Sequence, residues 1–170
     1  HTGFAYINMD LIAGLLFDTA EGFCRSLDIV RTLSPENITV HTLSLKRAAQ
    51  LYHDGASLDR LRRNPIADMV SYAQQALIAD GYAPYYLYRQ KNTLGNQENV
   101  GYAQKGCESL YNVYIMEEVQ TILAAGAAAS TKLVPEHGKI QRVYNYKHPF
   151  EYIRSFDEIL RRKDAVRTFF

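Results

Sequence analysis

One acid in this chain sits where acids are rare. Asp10 interrupts an otherwise apolar run, Tyr6 to Ile12 (YINMDLI), near the end of that run. Ligands of α/β enzymes bind beyond the carboxyl ends of strands, so Asp10 is a candidate ligand contact. The other reading is a structural carboxylate capping a neighbouring loop, because an unpaired buried carboxylate is costly. Ile12 and Ser44 would line the same mouth. Ile12 reads equally well as core, and Ser44 as a cap for the loop after it. His41 lies inside a second apolar run with no partner at metal-ligand spacing, which favours a satisfied core histidine over a metal site. His53, His137 and His148 read as loop residues. Neither a Ser/His/Asp nor a Cys/His arrangement can be argued from the spacing, and no phosphate-binding loop or dinucleotide fingerprint is present. The sequence therefore assigns no catalytic residue and no metal ligand.

The two cysteines, Cys24 and Cys107, do not make a disulfide framework. Cys24 falls on the apolar face of an expected helix and reads as a buried free thiol. With 19 basic and 18 acidic residues the net charge is +1, which gives no long-range attraction for nucleic acid or an anionic membrane. A local basic run, Lys132 to His148, reads as a solvated hairpin rather than an anion site. No apolar run approaches the roughly 20 residues of a membrane span, and no signal peptide is apparent. A cytoplasmic, reducing location is the default expectation. The 170 residues suit one domain, or one domain with part of another.

The elements that must position these residues follow from periodicity. Tyr6 to Ile12 reads as a buried strand ending at Ala13-Gly14. Asp18, with Glu21 three residues on, offers a capping box. The helix behind it places Phe23, Leu27, Ile29 and Val30 on one side. Ser34 to Asn37 is a turn, and Ile38 to Leu45 a second strand. Strand, helix and strand in this span argue for a βαβ unit with parallel strands. A loop, Lys46 to Ala56, follows. Asn64-Pro65 marks the start of a helix that keeps apolar spacing through Leu77 and ends at Gly81. Pro84 to Tyr88 reads as a third strand continuing the alternation. Arg89 to Gly106 reads as a polar loop, of a length that is usually functional or misread. Tyr111 to Gly126 reads as a helix striped by Met116, Val119, Ile122 and Leu123. A hairpin over Lys132 to Tyr146 and a last helix from Pro149, with Ile153, Phe156 and Leu160 inward, complete an α/β fold.

Three stretches, in order, carry a family likeness. Ile7 to Leu15 (INMDLIAGL) resembles the N-x-D-L-I-x-G-L strand of the oxygen-independent coproporphyrinogen III dehydrogenases. Ser34 to Leu45 (SPENITVHTLSL) resembles the strand that follows in that family. Tyr85 to Asn112 resembles its next region: an aromatic strand, an asparagine, a Y-A-x-x-G turn and a second asparagine. Tyr85 to Asn92 (YYLYRQKN) is similar to the Firmicutes-type branch.

The resemblance implies a parent protein that is a radical S-adenosylmethionine oxidoreductase of porphyrin and haem biosynthesis. Its cofactors would be S-adenosylmethionine and a 4Fe–4S iron–sulfur cluster, and its substrate a porphyrinogen whose propionates become vinyl groups. Residues 1–56 would be the closing βαβ unit of a partial TIM-like (β/α)₆ barrel, and 57–170 an α+β C-terminal region. Asp10, Ile12 and Ser44 would lie beside the S-adenosylmethionine. Arg89, Asn92 and Asn112 would meet the propionates, for which an arginine fork is well suited. Tyr85, Tyr86 and Tyr88 could stack on a tetrapyrrole, although alternating aromatics in a strand more often serve packing.

The chain departs from the family pattern in three places. The C-x₃-C-x₂-C run that ligates the cluster is absent. The chain alone is therefore expected to hold no complete cofactor, to be inactive, and to need the missing N-terminal barrel half or self-association. The G-L-P-G-x-T turn is here Gly14 to Thr19 (GLLFDT), which would expose Leu16 and Phe17. The late G-x-G-A is Gly126 to Ala129 (GAAA), where a positive φ would strain Ala128 by about 1 kcal/mol. The alternatives are a non-enzymatic haem-handling relative and a structural α/β domain without a ligand.

Overall fold

The structure, a computed structural model, describes residues 3–44, 55, 59, 61, 63–89 and 93–169. The loop expected over 46–56 lies outside these residues apart from Gly55, as do Leu45 and Asn92. The chain forms two compact units, His1–Leu110 and Tyr111–Phe170.

The first unit is a four-stranded sheet with helices. Strand β1 (Asn8–Ala13) runs parallel to β2 (Asn37–Thr42), joined by helix α1 (Ala20–Leu33). Helix α1 is capped by Thr19, whose Oγ1 accepts from Gly22 N–H at 3.0 Å. The cap is thus one residue later than expected. Asp18 instead accepts from Thr19 N–H at 2.9 Å, in a turn that closes without the family's Pro-Gly. The helix ends at Ser34 in the left-handed conformation, with Pro35 behind it. Phe23, Leu27 and Val30 are buried as expected, but Ile29 is exposed.

Helix α2 (Ile66–Ala79) buries Ile66, Met69, Ala73 and Leu77 in the same core as Phe23, Leu27, Ile38 and Val40. It starts after Pro65 without a side-chain cap; Asn64 Nδ2 donates to Leu15 C=O instead. Arg31 joins the two helices. Its guanidinium forks onto Asp80 at 2.5 and 2.8 Å and also reaches Asp28. That pairing holds the Asp80 carboxyl below the usual carboxylate range.

The third strand departs from the expected alternation. Strand β3 (Ala83–Tyr88) runs in the same direction as β2 but does not pair with it. It pairs antiparallel with β4 (Asn99–Ala103), and β4 pairs antiparallel with β2, giving the order β1-β2-β4-β3. The polar stretch 89–106 therefore contains a strand. Residues 83–103, grouped above with the 57–170 region, complete the sheet of the first unit.

The second unit contains α3 (Leu110–Glu117), a hairpin of β5 (Ser130–Leu133) and β6 (Gln141–Tyr144), then α4 (Pro149–Arg154) and α5 (Phe156–Arg167). Helix α3 stops nine residues short of expectation. Glu118 takes φ 54°, and Ile122 then exchanges two backbone hydrogen bonds with Lys132. Pairing with β5 outweighs the helical stripe. Lys132 is buried rather than solvated, its Nζ donating to Ile115 C=O. The break at Ser155 resets the phase of the last helices. Ile159 is buried there, while Ile153, Phe156 and Leu160 are exposed. Among the described residues no helix is long and apolar enough to cross a membrane.

Ala128 does adopt a positive φ, 62°. The turn is held by Ala128 N–H donating to Tyr146 C=O and by Asn145 Nδ2 donating to Gly126 C=O. A left-handed alanine costs about 1–2 kcal/mol, and glycine's extra chain entropy returns about 0.4–1 kcal/mol of that. Ala128→Gly is expected to stabilise the protein by about 0.5–1 kcal/mol. The check is a higher urea midpoint at unchanged slope; a lower midpoint would contradict it.

Candidate functional site

Alternation sorts the sheet into two faces. Met9, Leu11 and Ala13 of β1 face the helices and the core. Asn8, Asp10 and Ile12 face the other way and are exposed, so β1 is half-buried rather than buried. The parallel register sets Asp10 opposite Thr39 and Ile12 opposite His41. The antiparallel registers continue this row, Thr39 to Gly101 and Gly101 to Tyr86. One line of residues, Asp10, Thr39, Gly101 and Tyr86, thus crosses all four strands.

Asp10 is 56% exposed at its side chain, and both of its oxygens have neighbours. Asn8 Nδ2 donates to Oδ1 at 2.6 Å. His41 Nε2 stands 3.8 Å from Oδ2. His41, expected as a core histidine, is therefore part-exposed and faces a carboxylate. Thr39, 2% exposed, donates from Oγ1 to Asn8 Oδ1 at 3.1 Å. The Tyr86 ring lies over Gly101: a Cβ there would come 2.0 Å from Tyr86 Cε1. Burial pushes the Tyr86 phenol above its ordinary value. Tyr86 stands edge-on to Tyr85, at 4.9 Å between centroids, and stacks with Tyr88 at 6.4 Å.

The other expected residues are placed as follows. Ile12 shares the face of Asp10 and is 41% exposed. Ser44 lies two residues beyond β2, in an isolated bridge to Thr93. Arg89 follows β3, and one nitrogen of its guanidinium donates to Glu98 Oε1 at 3.3 Å. Asn112 is on α3 in the second unit, part-buried. Asn92 lies outside the described residues. Sequence reasoning missed Asn8 and Thr39, whose importance appears only through the cross-strand register.

At the N-terminal end of β1 is a cavity of about 600 Å³, lined among others by Ile7, Asn8, Asn37 and Cys107. Asn37 Nδ2 donates to Cys107 C=O at 2.6 Å, and its buried Oδ1 has no partner. Cys24 and Cys107 are free and half-buried. Burial, then Asp28, pushes the Cys24 thiol up. Among the described residues, no three His, Cys, Asp or Glu side chains are grouped to hold a metal ion.

No protein-family profile matches the chain. It is 45% identical over 156 residues to the oxygen-independent coproporphyrinogen-III oxidase-like protein HemZ of Bacillus subtilis (strain 168). That match covers 91% of this chain and 31% of the relative. The fold is similar to the solved structure of coproporphyrinogen III oxidase (HemN) from Escherichia coli, described as a radical SAM enzyme. The TM-score is 0.55 at 20% identity, over 92% of this chain and 35% of that one. The chain thus spans about a third of the length of each protein.

Proposed function

We propose that this chain, a relative of the oxygen-independent coproporphyrinogen-III oxidase-like proteins, is the ligand-facing wall of a radical S-adenosylmethionine oxidoreductase acting on a porphyrinogen. The observation that carries this reading is the Asp10 face. An exposed carboxylate, with one oxygen held by Asn8, stands on the face of a parallel β1–β2 pair turned away from the core. In this reading β1 and β2 are the last strands of a partial TIM-like barrel, and edge strand β1 takes a further strand of the parent or of a second copy.

Asp10 fits S-adenosylmethionine as an acceptor for a cationic, hydroxyl-rich ligand. Ile12 supplies apolar contact beside it, and Ser44 a hydroxyl at the end of β2. Arg89 and Asn92 are candidates for the propionate carboxylates, Arg89 by exchanging Glu98 for the substrate, and Asn112, in the second unit, is a separate candidate. When bound, S-adenosylmethionine would supply the hydrogen-abstracting chemistry for converting propionates to vinyl groups. An iron–sulfur cluster does not fit this chain. A cluster of this kind takes three cysteine ligands, and the sequence offers Cys24 and Cys107 alone. The cluster ligands would come from the rest of the parent.

The test is turnover by the full-length parent under anaerobic reducing conditions with coproporphyrinogen III and S-adenosylmethionine. Carbon dioxide release with vinyl product is expected. Stoichiometric haem binding without decarboxylation would replace this reading with a haem-handling one.

A further inference from the structure

We propose that Thr39 is a positioning residue for Asp10, acting through the side-chain amide of Asn8. The inference rests on the reading of Asp10 as the S-adenosylmethionine contact. An asparagine amide carries an acceptor oxygen and a donor nitrogen of nearly equal size, so packing alone does not orient it. Hydrogen bonding does. Thr39 Oγ1 donates to Asn8 Oδ1 at 3.1 Å, which turns Nδ2 toward Asp10 Oδ1 at 2.6 Å. Donors and acceptors then match along the whole line: hydroxyl to carbonyl, amide to carboxylate. Without the Thr39 hydroxyl the amide is free to turn over. It would then set Oδ1 against the carboxylate, two acceptors facing each other.

The fold explains why Thr39 has this role. The parallel register puts Thr39 opposite Asp10, with Asn8 on the same face one pleat away. Thr39 is 2% exposed, so water does not compete readily for its hydroxyl. No lysine or arginine among the described residues pairs with Asp10; the ring of His41 stands near the far oxygen, at 3.8 Å. The Asn8 amide is thus the group that fixes the carboxylate plane. Oδ1 is committed to Asn8, and Oδ2 is the oxygen left for a ligand.

Thr39→Val keeps the branched shape that suits a buried strand and removes only the hydroxyl. Thr39→Ser restores the hydroxyl. In the full-length parent, Thr39→Val is expected to weaken S-adenosylmethionine about three- to tenfold, the effect of one lost hydrogen bond. Thr39→Ser should bind as the parent does. In an Asp10→Ala background Thr39→Val should change nothing further, because no acceptor remains at residue 10 for the Asn8 amide to hold. Selective ¹⁵N-asparagine labelling gives a second, ligand-free readout. The Asn8 amide protons should exchange slowly with solvent in the parent and in Thr39→Ser, and fast in Thr39→Val. Should the parent bind no S-adenosylmethionine, the reading of Asp10 fails, and the Asn8 amide still decides the role of Thr39. An Asn8 signal unmoved by Thr39→Val, or an affinity loss of equal size with and without Asp10, overturns the proposal.

Discussion

Asp10→Asn in the full-length parent is expected to weaken S-adenosylmethionine by ten- to a hundredfold while leaving the melting temperature nearly unchanged. The substitution keeps the side chain's size and removes its charge. A charge-assisted hydrogen bond contributes roughly 1.5–3 kcal/mol, which corresponds to about that range of affinity. Little stability is at stake. The side chain is 56% exposed, its partner His41 is 3.8 Å away, and exposed pairs contribute about 0–1 kcal/mol. The bond from Asn8 survives, because the new amide oxygen still accepts it. A carboxylate serving only the fold would behave in the opposite way, with lower melting temperature and unaltered affinity. Calorimetric titration and a thermal melt on the same variant separate the two. A destabilised protein with normal affinity would remove Asp10 from the site.

The parts of this fold that are legible in the sequence are the local ones. The β1–α1–β2 unit announces itself through an apolar run, capping residues at 18–21, amphipathic spacing and a turn at Ser34 to Asn37, all within neighbouring residues. The strained turn at Ala128 was legible only through the resemblance, whose G-x-G-A pattern has glycine where this chain has Ala128, and Ala128 takes the positive φ. The misread parts depend on distant pairing. Asn99–Ala103 (NVGYA) is short, polar at its start and broken by glycine, and it becomes a strand because β2 and β3 both offer it an edge. Residues 119–123 look helical by spacing, but β5 draws Ile122 into a bridge.

The site divides along the same line. Asp10 stands out within its own strand because an acid among apolar residues is visible one-dimensionally. Asn8 and Thr39 are ordinary residue types, and only the register that sets Thr39 opposite Asp10 gives them a role. His41 was read as core because a ligand partner was sought along the sequence; its actual partner stands on the neighbouring strand. Arg89 was legible as a fork, but Glu98, which accepts one of its hydrogen bonds, sits in a stretch read as loop.

Gly101 shows how such a misreading hides a constraint, and it yields the second large effect. As a loop glycine it would accept alanine freely. In β4 it is the floor on which the Tyr86 ring rests, with 2.0 and 2.5 Å between an added Cβ and the ring edge. No real Cβ sits so close, so Gly101→Ala must drive the ring away. The ring cannot leave without loss. Tyr86 is paired with Gly101 in the β3–β4 register, contacts Tyr85 and Tyr88, and is part-buried. Overpacking of this kind costs about 1–3 kcal/mol. The neighbouring strand position on the same face, Ala103, carries its Cβ while 1% exposed, so the strand itself does not forbid a methyl group. The penalty therefore belongs to the ring, and a double-mutant cycle exposes it. Gly101→Ala is expected to lower the melting temperature clearly in the parent and far less once Tyr86→Ala has removed the ring. Equal losses in both backgrounds would mean that glycine is needed there for the backbone, and that Tyr86 does not depend on it for its place beside Thr39 and Asp10.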